Sequence, residues 1–238
     1  MRSLLSNSSV ESAQLDPRLL PVKNGLIVSC QVPDDTAINT PEFIAAQALT
    51  VLQAGAAGIR AQGIQNVRAI AEVTQVPLIG LVKRYDDSSP VYITPSVSDV
   101  IELERAGATI VAIDATGRLR PGGQTLQDFI TQIRLESNVL LLADVDSVDS
   151  ALAAEELGCD AVATTLSGYT DIPITGLPNI GLIAEISKCV KIPVIAEGGF
   201  SLPSSVAEAL TAGALSVCIG TAITNPYLLT KNFITAIN

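Results

Sequence analysis

Two ionisable residues of complementary kinds each follow a short apolar run: Lys83 after Leu78–Val82 and Glu197 after Val194–Ala196. Neither side chain titrates usefully at neutral pH when free. A lysine starts near about 10.4, so lowering it to about 7 costs roughly 4 kcal/mol. Burial or a neighbouring cation, Arg60 or Arg84, pushes in that direction, and burial raises a carboxylate enough to make it a proton donor. The chain has no histidine, which removes the commonest acid–base group and the commonest metal ligand together. Acid–base work therefore falls to Lys, Asp, Glu, Tyr or Cys, and a zinc centre is not expected. A Lys/Glu pair suits proton transfer at a carbon next to a carbonyl. A Schiff base on Lys83 uses the same geometry, and a structural ion pair of Lys83 with Asp114 or Asp144 is the alternative without chemistry.

Glycine follows the carboxylate in Glu197-Gly198-Gly199, and a second apolar run, Val217–Ile219, ends in Gly220-Thr221. Such turns let backbone N–H groups approach an anion, so Gly198, Gly199, Gly220 and Thr221 are candidate phosphate ligands. Hydroxyls cluster in Pro90–Pro95, around Tyr92, and in Thr164–Thr170, which includes Thr165 and Tyr169. Hydroxyl-rich loops suit a polyol, although a single Ser or Thr more often satisfies loop backbone.

These residues need a scaffold that brings distant strand ends together. Buried-strand candidates recur at Leu26–Cys30, Gly58–Ala61, Leu78–Val82, Ile110–Ile113, Val139–Ala143, Ala161–Thr164, Val194–Ala196 and Val217–Ile219. Amphipathic helices are expected between them, among others at Pro41–Gln53, Ser98–Arg105, Leu126–Arg134, Val148–Leu157 and Val206–Thr211. Apolar strands without polar alternation, separated by helices, indicate a parallel sheet covered on its faces. Gly55, Gly107, Gly158 and Gly213 each stand where a helix should end before a strand, and they recur at intervals of about 50 residues. That period is a βαβα pair used four times, which closes a (β/α)8 barrel, the TIM-barrel architecture. A doubly wound sheet is the alternative and has no reason for the repeat. In a barrel the strand C-termini face the active site. Here they carry Gln31, Arg60, Lys83, Asp114, Asp144, Thr164 with Thr165, Glu197 and Gly220. One carboxylate such as Asp114 serves a turn equally well; several polar strand ends at one mouth indicate a site.

The chain of 238 residues is 48% hydrophobic, with a formal net charge of −10. Its length fits one barrel, residues 23–238, preceded by an extension over residues 1–22 that either lies outside the barrel or plugs its bottom. The acidity argues against nucleic-acid binding. No apolar run approaches the roughly 20 residues of a membrane span, and residues 1–20 lack a signal-peptide core. Cys30, Cys159, Cys189 and Cys218 show no C-x-x-C spacing and read as reduced packing residues of a cytoplasmic protein.

At these same residues the sequence resembles the N-acetylmannosamine-6-phosphate 2-epimerase family. The matching motifs run in order from Gly25–Gln31 through Gly58–Ala61, Lys83-Arg84, Val91–Pro95, Asp114–Thr116, Arg120-Pro121, Ala143-Asp144, Thr164–Thr170 and Ile195–Gly198 to Gly220–Thr224. The resemblance implies a barrel enzyme that inverts C2 of a phosphorylated amino sugar, without metal or organic cofactor, as a homodimer. It assigns Lys83 as the base, Glu197 as the acid partner, and Gln31, Arg60 and Asp144 as residues holding the sugar. The chain departs from that pattern at Asn225, where relatives commonly carry Arg, and at Gly199, where a larger polar residue is frequent. It departs again at Val32–Asp35 and over Asp171–Asn179. Another sugar-phosphate isomerase of the phosphate-binding barrel type is one alternative. A barrel that binds a sugar phosphate without catalysis is the other.

Overall fold

The computed structural model describes residues 15–237. Eight parallel strands form a closed barrel in sequential order: β1 Leu26–Cys30, β2 Gly58–Gln62, β3 Leu78–Leu81, β4 Ile110–Asp114, β5 Leu140–Asp144, β6 Ala161–Ala163, β7 Val194–Glu197 and β8 Ser216–Ile219. Around them lie α1 Pro41–Gln53, α2 Ile64–Val73, α3 Val97–Arg105, α4 Leu126–Glu136, α5 Val148–Glu156, α6 Ile180–Cys189, α7 Pro203–Thr211, α8 Thr221–Thr224 and α9 Pro226–Thr235. None of these helices is long and apolar enough to cross a membrane.

The repeat has a local cause. Gly55, Gly107, Gly158 and Gly213 take φ of +104°, +105°, +86° and +108° and turn the chain from α1, α3, α5 and α7 into β2, β4, β6 and β8. Side chains with a Cβ resist that conformation. At the other end, Thr40, Ser96, Thr125, Ser147 and Asn179 each accept an N–H of the following helix, satisfying a donor that has no partner within the helix. The helix expected at Val206–Thr211 begins earlier, at Pro203, because proline fits the first helical turn. Thr164 leaves β6 for a 3-10 turn, since its hydroxyl is bonded to the backbone of β7.

Alternation along the strands sorts the core into two layers. Outward residues such as Val28, Ile59, Val111, Leu141, Val162 and Val217 pack with the helices in one cluster. Inward residues such as Ile27, Ile79, Ile110, Leu140, Ile195 and Cys218 fill the barrel in another. Leu15, Leu19 and Val22 belong to that inner cluster, so the segment before β1 closes the N-terminal end. Residues 1–14 of the expected extension lie outside the described residues. Continued past the apolar layers, the inward phase reaches Gln31, Arg60, Lys83, Asp114, Asp144, Thr165, Glu197 and Gly220 at the opposite end. One period-2 register thus supplies both the packed floor and the polar mouth.

Candidate active site

A cavity of about 670 Å³ opens at the C-terminal ends of the strands. Gln31, Arg60, Lys83, Tyr92, Thr165, Tyr169, Glu197, Gly198, Gly199, Gly220 and Thr221 all line it. Asp144 does not: it is fully buried behind the wall.

Arg60 is the hub of the floor. It is 1% exposed. Its Nη2 donates to Asp144 Oδ2 at 2.6 Å and its Nη1 to Asp144 Oδ1 at 3.0 Å. Nη1 also reaches Glu197 Oε2 at 2.8 Å. Burial alone would lower its pKa, but Asp144 and Glu197 reverse that and hold the guanidinium charged. Each of its terminal nitrogens donates to a carboxylate, while its Nε is buried without a partner among the described residues. Asp144 likewise serves Arg60 and Thr165. The Thr165 hydroxyl stands 2.7 Å from Asp144 Oδ1 and 3.1 Å from Glu197 Oε2, one proton between two carboxylates.

Glu197 ends β7 opposite Cys218 of β8. Thr164 anchors its backbone twice, donating to the Glu197 carbonyl at 2.8 Å and accepting its N–H at 3.0 Å. Burial raises the Glu197 pKa, against the pull of Arg60. The Asp144 charge adds to the rise, and the Thr165 hydroxyl and Cys218 thiol moderate it. Lys83 lies past the end of β3, across the mouth, and bridges to Ile93 in antiparallel fashion. The returning segment is tied by Arg84 N–H to Tyr92 carbonyl and Thr94 N–H to Val82 carbonyl, both at 2.9 Å. It brings Tyr92 beside Lys83, with the Tyr92 ring stacked on Tyr85. Burial lowers the Lys83 pKa and Arg60 lowers it further, with Glu197, Asp34 and Asp144 opposing. Burial, then Asp144, raises Tyr92 to about 12, so the phenol stays a neutral donor.

The proposed structural pairing of Lys83 with Asp114 or Asp144 is absent among the described residues: Asp144 pairs with Arg60, and Asp114 with Arg118 at 2.6 Å. Asp114 is fully buried and holds its own turn, accepting the Thr116 N–H and hydroxyl. Arg120 donates to the Asp114 carbonyl and lies 4.0 Å from the centre of the Phe129 ring. This strand end is therefore the turn residue of the two readings.

The glycine turns close the other side of the cavity. Gly198 and Gly199 have φ of +106° and +72°. A Cβ at Gly199 would overlap that of Leu177, so the 171–179 loop is seated directly on the turn. Sequence reasoning missed Asp34, Gln62, Cys218, Phe200, Ser201 and the α9 residues Leu228, Leu229 and Asn232, which also line the cavity. Inward alternation marks Gln62 and Cys218. Nothing in the spacing marks α9, which reaches the mouth only because the chain folds back after β8.

The model of a family described as "Putative N-acetylmannosamine-6-phosphate epimerase" matches residues 44–238. A Clostridium perfringens protein named "Putative N-acetylmannosamine-6-phosphate 2-epimerase" is 42% identical over 215 residues, 89% of this chain and 96% of the relative. One of the same name from Thermosynechococcus vestitus is 39% identical over 217 residues, 91% and 94% of the two chains. A solved structure titled as the N-acetylmannosamine-6-phosphate 2-epimerase from C. perfringens superposes with a TM-score of 0.86 at 40% identity, covering 92% of this chain and 95% of that one. A Pyrococcus furiosus thiamine phosphate pyrophosphorylase, at 18% identity and a TM-score of 0.59, shares the fold alone. With sequence, motifs and barrel in agreement over nearly its whole length, the chain belongs to the N-acetylmannosamine-6-phosphate epimerase family.

Proposed function

We propose that this protein is an isomerase that interconverts N-acetylmannosamine 6-phosphate and N-acetylglucosamine 6-phosphate. The observation that carries the reading is a depressed lysine and a raised carboxylate on opposite walls of one cavity, in a chain of this family. The C2 proton of the open-chain sugar is acidic because the C1 aldehyde delocalises the charge left on its removal. Neutral Lys83 takes that proton, and the C–H pair moves into an enolate-like C1–C2 system. Protonated Glu197 returns a proton to C2 from the other face, inverting the centre. Solvent exchange then resets both groups, and in the reverse direction they trade roles. General acid–base steps of this kind contribute about 10²–10⁴-fold each.

Arg60 keeps Glu197 oriented without ionising it outright, because Asp144 shares the same guanidinium. Gln31, Tyr92, Thr165 and Tyr169 offer neutral hydrogen bonds to the sugar hydroxyls and the acetamide. Gly198, Gly199, Gly220 and Thr221 receive the C6 substituent. The same reading carries a cytoplasmic location and a homodimer, the latter checked by light scattering on the eluted peak.

Proton NMR of N-acetylmannosamine 6-phosphate with the protein in deuterated water tests the reading. The expected result is the gluco epimer with deuterium at C2. Absence of both exchange and conversion from a folded sample would reject it.

A further inference from the structure

Thr165 is held between two carboxylates by backbone on both sides. Its 3-10 turn, Thr164–Leu166, is tied to the Asp144 side by Leu166 N–H to the Val145 carbonyl at 3.1 Å and by Val145 N–H to the Ala163 carbonyl at 2.8 Å. It is tied to the Glu197 side by the Thr164 hydroxyl, which bonds both the Glu197 carbonyl and its N–H. The Thr165 side chain is β-branched and therefore stiff at χ1. Its hydroxyl oxygen has a fixed place, 2.7 Å from Asp144 Oδ1 and 3.1 Å from Glu197 Oε2.

The two carboxylates are not equally supplied with donors. Asp144 takes both terminal nitrogens of Arg60, at 2.6 and 3.0 Å. Glu197 takes Nη1, at 2.8 Å, and shares it with Asp144. A hydroxyl has one proton and donates to one acceptor at a time. While Glu197 is protonated, Asp144 is the charged acceptor, and the bond to a charge is the stronger one. Once Glu197 has given its proton away, it becomes a carboxylate whose guanidinium nitrogen is shared. Turning the Thr165 O–H from one oxygen to the other needs only rotation about the Cβ–Oγ bond, because both acceptors already lie within reach.

We propose that Thr165 is a positioning residue with two settings: its proton points to Asp144 while Glu197 is protonated, and to Glu197 once C2 has taken that proton. The switch stabilises the Glu197 carboxylate as it forms, with no heavy atom moving, and it returns when solvent reprotonates Glu197. This rests on the C2-epimerase reading above, which supplies the proton cycle. Thr165 then serves the acid first, and its oxygen can still accept from a sugar hydroxyl. The groups that face Glu197 are Arg60 from β2, Asp144 from β5, Thr165 after β6, the Cys218 thiol from β8 and Lys83 across the mouth. Arg60 also stands between the two carboxylates, but its N–H bonds are fixed in the guanidinium plane, whereas the Thr165 O–H is free to turn.

The test follows C2 deuterium exchange of N-acetylmannosamine 6-phosphate against pH in the wild type, Thr165→Val and Thr165→Ser. Thr165→Val keeps the shape and deletes the O–H. Its kcat should fall by about tenfold or more, because the lost bond is to a charge, with KM little changed. A hydroxyl that favours the ionised carboxylate holds its pKa down, so deleting it should move the Glu197-dependent limb of the profile to higher pH. Thr165→Ser should bring rate and limb back toward the wild type. A rise in KM with the limb unmoved makes Thr165 a sugar ligand only and overturns the proposal. So does a limb that Thr165→Ser fails to restore. If the wild type shows no exchange, the epimerase reading falls, and the two settings are read instead from carbon NMR of the Glu197 carboxyl, assigned with Glu197→Gln. Its midpoint should rise in Thr165→Val and return in Thr165→Ser; an unmoved midpoint overturns the proposal. Thr165→Ala takes the place of Thr165→Val if the latter does not fold.

Discussion

The two ends of one cavity are built on opposite principles. At the reacting end, Arg60, Asp144, Glu197 and Thr165 share bonds of 2.6 to 3.1 Å in a buried cluster, and Lys83 faces them without an ion pair among the described residues. At the tail end, the glycine turns after β7 and β8 and the 171–179 loop seated on Gly199 present backbone groups rather than an ion-paired cluster. Buried charges are costly unless paired, and a pair that loses one member costs more than it contributed. The reacting end should therefore be intolerant of substitution and the tail end permissive, with chemistry in the first and selectivity in the second.

The largest expected effect is on the rate. Lys83→Ala should lower C2 deuterium exchange by about 10³-fold or more, and Glu197→Gln by about 10²-fold or more. Exchange retained in Lys83→Ala would move the chemistry away from this end. Next in size is stability. Arg60→Met leaves Asp144 buried without its cation and should cost about 3–5 kcal/mol in chemical denaturation. A near-neutral result would mean that the cluster is looser than its distances imply. At the tail end, Gly199→Ala forces a Cβ against Leu177 at positive φ and should cost about 1–3 kcal/mol. Its kinetic effect should fall on KM rather than kcat; a kcat collapse would merge the two ends into one functional unit.

The smallest effect has a defined sign. The folded state lowers the Lys83 pKa. Such a group contributes stability above the ordinary lysine value, and that contribution is lost as pH falls through the folded value. Below the ordinary lysine value, burying Lys83 is therefore a burden on the fold. Lys83→Met should raise Tm at pH 7 by on the order of 1–3 °C, and the gain should vanish above about pH 10.4. A gain that persists there would have to come from packing.

Much of the scaffold is legible because its causes are local. The eight apolar runs, the recurring glycines and the proline-led or hydroxyl-capped helices each act within a few residues, and Leu26–Cys30 and Pro41–Gln53 keep their expected bounds. The inward phase of each strand is also a local property, so Lys83 and Glu197 were readable as mouth residues from spacing alone. The family motifs added sugar chemistry to that geometry.

Tertiary structure decided how the polar strand ends share their partners. Nothing in the spacing says that Arg60 binds Asp144 and Glu197 together, that Asp144 is withdrawn from the cavity, or that Asp114 serves its own turn. Those outcomes depend on which side chains meet across a closed barrel. The tail end is the same kind of result. Gly199 and Asn225 are single letters in the chain, but their meaning comes from Leu177 seated on one and α9 capped by the other. The sequence by itself determined the strands, their inward faces and the residue types at the mouth, because periodicity and turn chemistry are short-range. Closure of the barrel decided the pairing of charges and the seating of the 171–179 loop on the Gly199 turn, because those depend on residues far apart in the chain.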